Sequence, residues 1–265
     1  IFFIVTSTLY AFTEIVWWPI SFAAIILSQF LIFRFWKDSK FGTIINIVIL
    51  IFTIAGYGSW NFKSSFTKEV HENLQQKEYF ANNNLTEEDI ANLPETIKKY
   101  IRLSGCIGKP KVNNFKVEFK GKIRKDESSE WMPFSSVQYN FMNVPTRLFF
   151  MNAEMKKMLV TGYHRYVNAN ASMDIRLLSL FRVQFQKGQE MDTAETVTFF
   201  NDMCCQAPAT LIDKRITWKE KENNIINAAF IVNGISISAD LYFDDEGNLI
   251  NFKSNDRFAS NVGKK

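Results

Sequence analysis

The sequence predicts an α+β protein: N-terminal transmembrane helices followed by a curved antiparallel β-sheet, half-barrel-like, packed with helices. Three observations carry this. Residues 15–33 and 41–62 are charge-free apolar runs separated by a short basic segment. From Phe115 onward apolar and polar residues alternate, the period of a strand with one wet face. The last third is broken at short intervals by Asn-Gly and Asp-rich turn signals.

The run 41–62, FGTIINIVILIFTIAGYGSWNF, rises about 1.5 Å per helical residue and is long enough for the roughly 30 Å hydrocarbon core of a bilayer. The run 15–33 is entered through Trp17-Trp18-Pro19; tryptophan favours the headgroup level and proline is tolerated in a first helical turn. Between them, Arg34, Lys37 and Lys40 outweigh Asp38, which places that loop in the cytoplasm and everything from Lys63 onward outside it. Residues 1–13 read as the tail of an earlier span, turned around Glu14, in a chain that starts within a helix. No basic segment precedes that apolar start, so a cleavable signal peptide fits poorly. Gln29 and Asn46 lie inside the spans, where polar side chains hydrogen-bond to a neighbouring helix. The ionisable groups that a transport pathway needs are not found in these runs.

The predicted division is 1–62 transmembrane helices, 63–110 a helical linker and helices, and 111–265 a β-rich domain with an inserted helix near 192–205. Residues 64–77 read as a polar helix with a thin stripe of Phe66, Val70 and Leu74, beside which His71 is a solvated surface residue. Thr86 opens a short helix in capping style, and Pro94 starts another whose face of Ile97, Tyr100, Ile101 and Leu103 is expected to lie against the following sheet. Strands are predicted over 115–124, 131–141, 147–155 and 158–171. A helix over 192–205 follows, capped by Asp192 or Thr193, with Val197, Phe200 and Cys204 as its stripe and Pro208 ending it. Strands over 216–222, 225–232, 235–243 and 249–252 form hairpins. The acidic segment Asp244-Asp245-Glu246-Gly247 lacks the ligand spacing and bidentate Glu of a calcium loop and reads as a solvated turn.

The net charge of +4 is too small and too scattered for a nucleic-acid partner. Cys106 and the adjacent Cys204 and Cys205 offer no CxxC spacing and read as unpaired structural thiols. With two histidines and no Gly-x-Ser-x-Gly, His-Glu-x-x-His or P-loop, no catalytic residue, metal or cofactor is predicted. The 26 phenylalanines, many on alternating strand positions, imply a large aromatic interior.

The sequence resembles an uncharacterised bacterial membrane-protein family known only as a domain of unknown function. The likeness rests on Ser28 and Gln29, then Trp36, Asp38, Lys40, Gly42, Thr43 and Asn46, with Ser39 where the family has alanine. It continues through Leu93-Pro94, Tyr100-Ile101, Ser104-Gly105, Trp131-x-Pro133-Phe134 with Gln138, and Pro208-Ala209 with Trp218. His164, Ala169 and Ala171 stand where the family has an acidic residue and Gly-x-Gly. Thr198-Phe199-Phe200-Asn201-Asp202 stands where it has Arg-Tyr-Leu-x-Glu, which implies a weakened polar role there. The resemblance implies further helix before Ile1 and further strand after Lys265, and supplies no activity.

Three functions follow as expectations. A concave aromatic face beside a membrane would suit a lipid or other apolar ligand, bound or handed over through Trp131, Phe134, Gln138, Tyr163, His164, Arg165 and Trp218. Alternatively the face is filled by the chain's own helices and the domain is a structural or interaction module with a protein partner in the cell envelope. An enzyme stands third, requiring His164, Arg165 and an acid around one cleft. The expected location is a bacterial cytoplasmic membrane, crossed more than once, with the soluble domain outside.

Overall fold

A computed structural model describes residues 17–77, 79–80, 83–124, 126–156, 158–222 and 224–257. The expected partial span over 1–13 lies outside the described residues. The first described helix, α1 (Trp18–Arg34), opens at Pro19 and ends where Phe35 leaves helical geometry; the single turn α2 (Trp36–Ser39) then leads into α3 (Gly42–Leu74). Helices α1 and α3 pack antiparallel. Ser28 donates to Asn46 at 3.1 Å, Asn46 to Gln29 at 3.0 Å and Gln29 to Thr43 at 3.1 Å, so the polar residues of the two apolar runs satisfy one another. Gly56 admits the Trp17 ring, which a Cβ there would meet at 2.2 Å.

Two features of this region differ from the sequence-based expectation. Among the described residues one helix, α3, is long and apolar enough to cross a membrane, where two were expected. At 17 residues α1 extends only about 25 Å, short of the hydrocarbon core. Nor is there a separate polar helix over 64–77. Nothing between Asn61 and Ser65 breaks the helical backbone, so α3 continues for 33 residues as apolar rod and then as polar strut. Leu74 is exposed, while Phe66 and Val70 are buried. Replacing Asn46 by leucine is expected to lower stability by about 0.6–1.7 kcal/mol, read as an earlier thermal transition in detergent micelles.

Two short helices follow, α4 (Glu87–Ile90) and α5 (Glu95–Leu103); Thr86 caps the first, its N–H donating to Asp89 at 2.9 Å. Then come β1 (Asn114–Ile123), β2 (Met132–Phe141), β3 (Thr146–Met155), β4 (Met158–Val167), β5 (Asn170–Leu177) and β6 (Phe181–Lys187), an antiparallel six-stranded sheet in sequence order with β1 and β6 as its edges. Helix α6 (Gln189–Gln206) and a 3-10 turn (Pro208–Ile212) lead to β7 (Ile216–Glu220), β8 (Ile225–Val232), β9 (Ile235–Phe243) and β10 (Leu249–Lys253), a second sheet of four antiparallel strands.

The strand expected over 158–171 is two. Asn168 and Ala169, both at positive φ, turn β4 back into β5. Leu178 and Ser179 do the same before β6, which was not expected. Helix α6 starts at Gln189, with Gly188 rather than Asp192 or Thr193 at its cap. Helix α5 lies on α6 and the second sheet instead of on the sheet that follows it. The Tyr100 hydroxyl donates to the Cys204 carbonyl at 2.8 Å, and its ring meets Phe243 edge-on at 5.6 Å.

The middle strands of the six-stranded sheet are covered on both faces. Phe62, Phe66 and Val70 of α3 pack on Leu148, Phe150 and Tyr163, with Phe66 and Phe150 centroids 5.4 Å apart. An ion pair from Arg165 to Glu69 at 2.5 Å closes the upper end of that seam. On the opposite face α6 is buried around most of its circumference, because the second sheet covers its far side; Phe200 stacks on Phe230 at 5.3 Å. A helix between two sheets needs no single apolar stripe, and its charged residues must then find buried partners.

Candidate functional site

Where α6 crosses the six-stranded sheet the contact is polar. Gln138 and Asn140 are two apart on β2 and share a face; Arg147 pairs with Asn140 across the β2–β3 ladder, and His164 sits next along on β4, opposite Phe149. From α6, Glu195, Asp202 and Gln206 project from one side, at spacings of seven and four. The Arg147 guanidinium donates through Nε to Asp202 at 2.9 Å, through Nη1 to Glu195 at 3.1 Å and through Nη2 to Gln138 Oε1 at 2.9 Å. Asp202 Oδ2 also accepts from Gln138 at 2.7 Å and from Asn140 at 3.3 Å, and its Oδ1 accepts from Gln206 at 3.3 Å. Gln138, Asn140, Arg147, Glu195 and Asp202 are all buried.

His164 packs edge-on against Phe149, with centroids 5.5 Å apart. Burial, and then the nearby Arg147 guanidinium, pushes its pKa down to about 4. An unfolded chain titrates this group near 6.5 and so binds the extra proton between those values. The contribution of a neutral His164 is therefore complete above about pH 6.5 and is lost as pH falls toward 4, amounting to about 3 kcal/mol at most. The expected result is that urea midpoints decline across that window in the native chain and decline less in His164→Asn.

This arrangement is suited to holding, not to reacting. Each guanidinium nitrogen of Arg147 is already engaged, and no described hydroxyl or thiol donates to His164. Cys204 is fully buried and its thiol pKa is pushed up, which keeps it protonated and inert.

The residues nominated from sequence do not converge on one place. Gln138 and His164 lie on the α6 face of the sheet, whereas Tyr163 and Arg165 lie on the α3 face. Burial, and then the Glu69 carboxylate, pushes the Tyr163 hydroxyl well above its usual pKa. Trp131 is exposed near the β1–β2 turn beneath Arg124, 4.6 Å from its ring centroid. Phe134 is half-buried on β2, and Trp218 belongs to the second sheet, packed at the margin of its core. A cleft uniting His164 and Arg165 with an acid is ruled out by their opposite orientations on β4.

Sequence reasoning did not find Arg147, Asn140 or Glu195, and it treated Asp202 as a weakened position. That expectation is corrected here, since the Asp202 carboxylate is the most heavily bonded acceptor of the cluster. A signal was present: Glu195 and Asp202 stand seven apart, on one side of a helix, and Gln138 and Asn140 are interleaved with Val137, Tyr139 and Phe141.

Away from the cluster, a half-open cleft of about 380 Å³ is lined by Tyr79, Phe80, Asp89, Lys111, Ile212 and Lys214. Lys111 and Asp89 pair in it at 2.7 Å. Its lining is mixed, unlike the Phe- and Leu-lined chamber expected of an acyl-chain carrier.

A model described as "Family of unknown function (DUF6544)" matches residues 83–265, which take in both sheets and α6 but not α1 or α3. Neither a curated protein nor a solved structure matches the chain.

Proposed function

The chain belongs to this family of unknown function, and we propose that it is a membrane-anchored, non-catalytic interaction module of the bacterial cell envelope, held at a fixed attitude by α3. The supporting observation is that the aromatic faces of the middle strands of the six-stranded sheet are occupied by the chain's own α3 and α6. A carrier of a lipid or other apolar ligand needs a void of several hundred cubic ångströms beside those faces. Phe199, Phe200, Met203 and Phe230, which would line one, have no accessible surface.

In this reading the apolar half of α3 crosses the cytoplasmic membrane with Ile44, Ile51 and Phe52 turned to lipid. Helix α1 crosses beside it, its short length met by local thinning of the bilayer. The loop carrying Arg34, Lys37 and Lys40 lies inside and both sheets lie outside. Photo-crosslinkers at Ile231 and Ile250, exposed apolar residues of the second sheet, test it in native membranes. A discrete protein adduct is the expected result. Adducts with lipid alone, or one-to-one binding of a fluorescent acyl probe displaced by fatty acid, would overturn it.

A further inference from the structure

The turns of hairpins β1–β2, β3–β4 and β5–β6 all fall at one end of the six-stranded sheet, because successive strands alternate in direction. Contacts with α3 fix which end that is. Gly58 and Ser59 meet the β5–β6 turn, Phe62 meets Phe150 and Tyr163, Phe66 meets Tyr139, and Glu69 meets Arg165. Climbing the helix thus moves away from the turns, and the turn end faces the apolar half of α3.

The depth of that end is marked as well. Trp18 lies 4.8 Å from Tyr57 and 5.7 Å from Trp60 by ring centroids, a cluster of the residue types that settle at the headgroup level. In the same helical turn Ser59 and Ser179 hydroxyls are 3.1 Å apart, and Leu180 lies so close to Gly58 that a Cβ there would be 2.2 Å from its Cδ2. The β5–β6 turn therefore touches the anchor helix at its aromatic belt.

Met155, Met158, Leu159, Leu178 and Phe181 are exposed at this end, Phe181 by 63%. The two hairpins form one surface, since the Leu178 N–H donates to the Leu159 carbonyl at 2.7 Å. Exposed Lys156 sits at the β3–β4 turn among them. An apolar patch of this kind marks a binding surface, and its continuity with the lipid-facing side of α3 identifies the occupant.

We propose that the β3–β4 and β5–β6 turns seat in the headgroup and upper acyl layer of the phospholipid bilayer that α3 crosses, as a second attachment that holds the sheet upright. This rests on α3 being a membrane anchor. The test uses the full chain carrying Cys106→Ser and Cys205→Ser, with the buried Cys204 left in place, in nanodiscs of phosphatidylethanolamine and phosphatidylglycerol. An environment-sensitive fluorophore is attached in turn to Phe181→Cys, Met158→Cys, Ile51→Cys and Lys187→Cys, the last at the opposite end of β6. Blue-shifted emission and strong quenching by doxyl-labelled lipid are expected at 181, 158 and 51, with water-like emission at 187. If 181 and 158 behave like 187 while 51 is quenched, the anchor stands and the seating falls. If 51 is also unquenched, both fall.

Discussion

Replacing Arg147 by methionine is expected to destabilise the protein by about 3–5 kcal/mol, because it leaves Glu195 and Asp202 facing each other's charge inside the fold without a cation. For a chain of this size that corresponds to a fall of about 6–20 °C in the thermal midpoint. The loss arises less from the attraction removed than from carboxylates left buried and uncompensated. Arg147→Lys is expected to recover only part of it, since an ammonium cannot reach Asp202, Glu195 and Gln138 as the planar fork does. Adding Glu195→Gln and Asp202→Asn to Arg147→Met should recover more than the lysine variant, and thermal unfolding of the four proteins in one detergent checks the order. If Arg147→Met is as stable as the native chain, the cluster does not hold α6 to the sheet.

Phe66→Ala is the second large effect, at about 3–5 kcal/mol. Its ring lies 5.4 Å from Phe150, 5.7 Å from Tyr163 and 6.2 Å from Tyr139, so truncation opens a hole in the middle of the α3 seam. Those partners come from three different strands, β2, β3 and β4, which limits how far the site can collapse. Phe52→Ala, one of the exposed residues on the apolar half of the same helix, removes the same atoms and should leave the thermal midpoint of the domain nearly unchanged. The contrast separates the part of α3 that packs on the sheet from the exposed apolar part.

The sequence shows the backbone plan well where turn chemistry is explicit. Asn233-Gly234 turns β8 into β9, and the strands on either side fall close to where alternation puts them. It fails where the turn residues are unusual. Ala169 and Leu178 adopt positive φ without being Gly or Asn, so the β4–β5 turn is marked by Asn168 alone and the β5–β6 turn by Ser179 alone. Strand β6 did alternate, as Phe181, Val183 and Phe185 against Arg182 and Gln184, but its apolar side is the exposed one. Nor is the continuity of α3 visible in composition, because the change from apolar to polar at Lys63 reflects a change of surroundings and not of backbone.

The candidate site was legible only in fragments. Gln138 and His164 were singled out, yet the residue at the centre of the cluster is Arg147, and its acidic partners lie 48 and 55 positions further along. No local pattern links a strand arginine to a helix carboxylate at such a separation; the pairing is a product of topology. Tyr163 and Arg165 were nominated together with His164, and the two-residue period of β4, legible in the sequence itself, puts them on the other face.

Helix α3, the six-stranded sheet, α6 and the second sheet form one continuous stack, so the domain is fixed rigidly to the apolar half of α3. The most direct test is a pulsed-dipolar distance measurement between spin labels at Ile51→Cys on α3 and Ser236→Cys on β9, in nanodiscs, on the Cys106→Ser, Cys205→Ser background. A single narrow distance distribution is predicted, broadening when Phe66→Ala is added. A broad or two-peaked distribution in the chain with Phe66 intact would contradict a rigid mount.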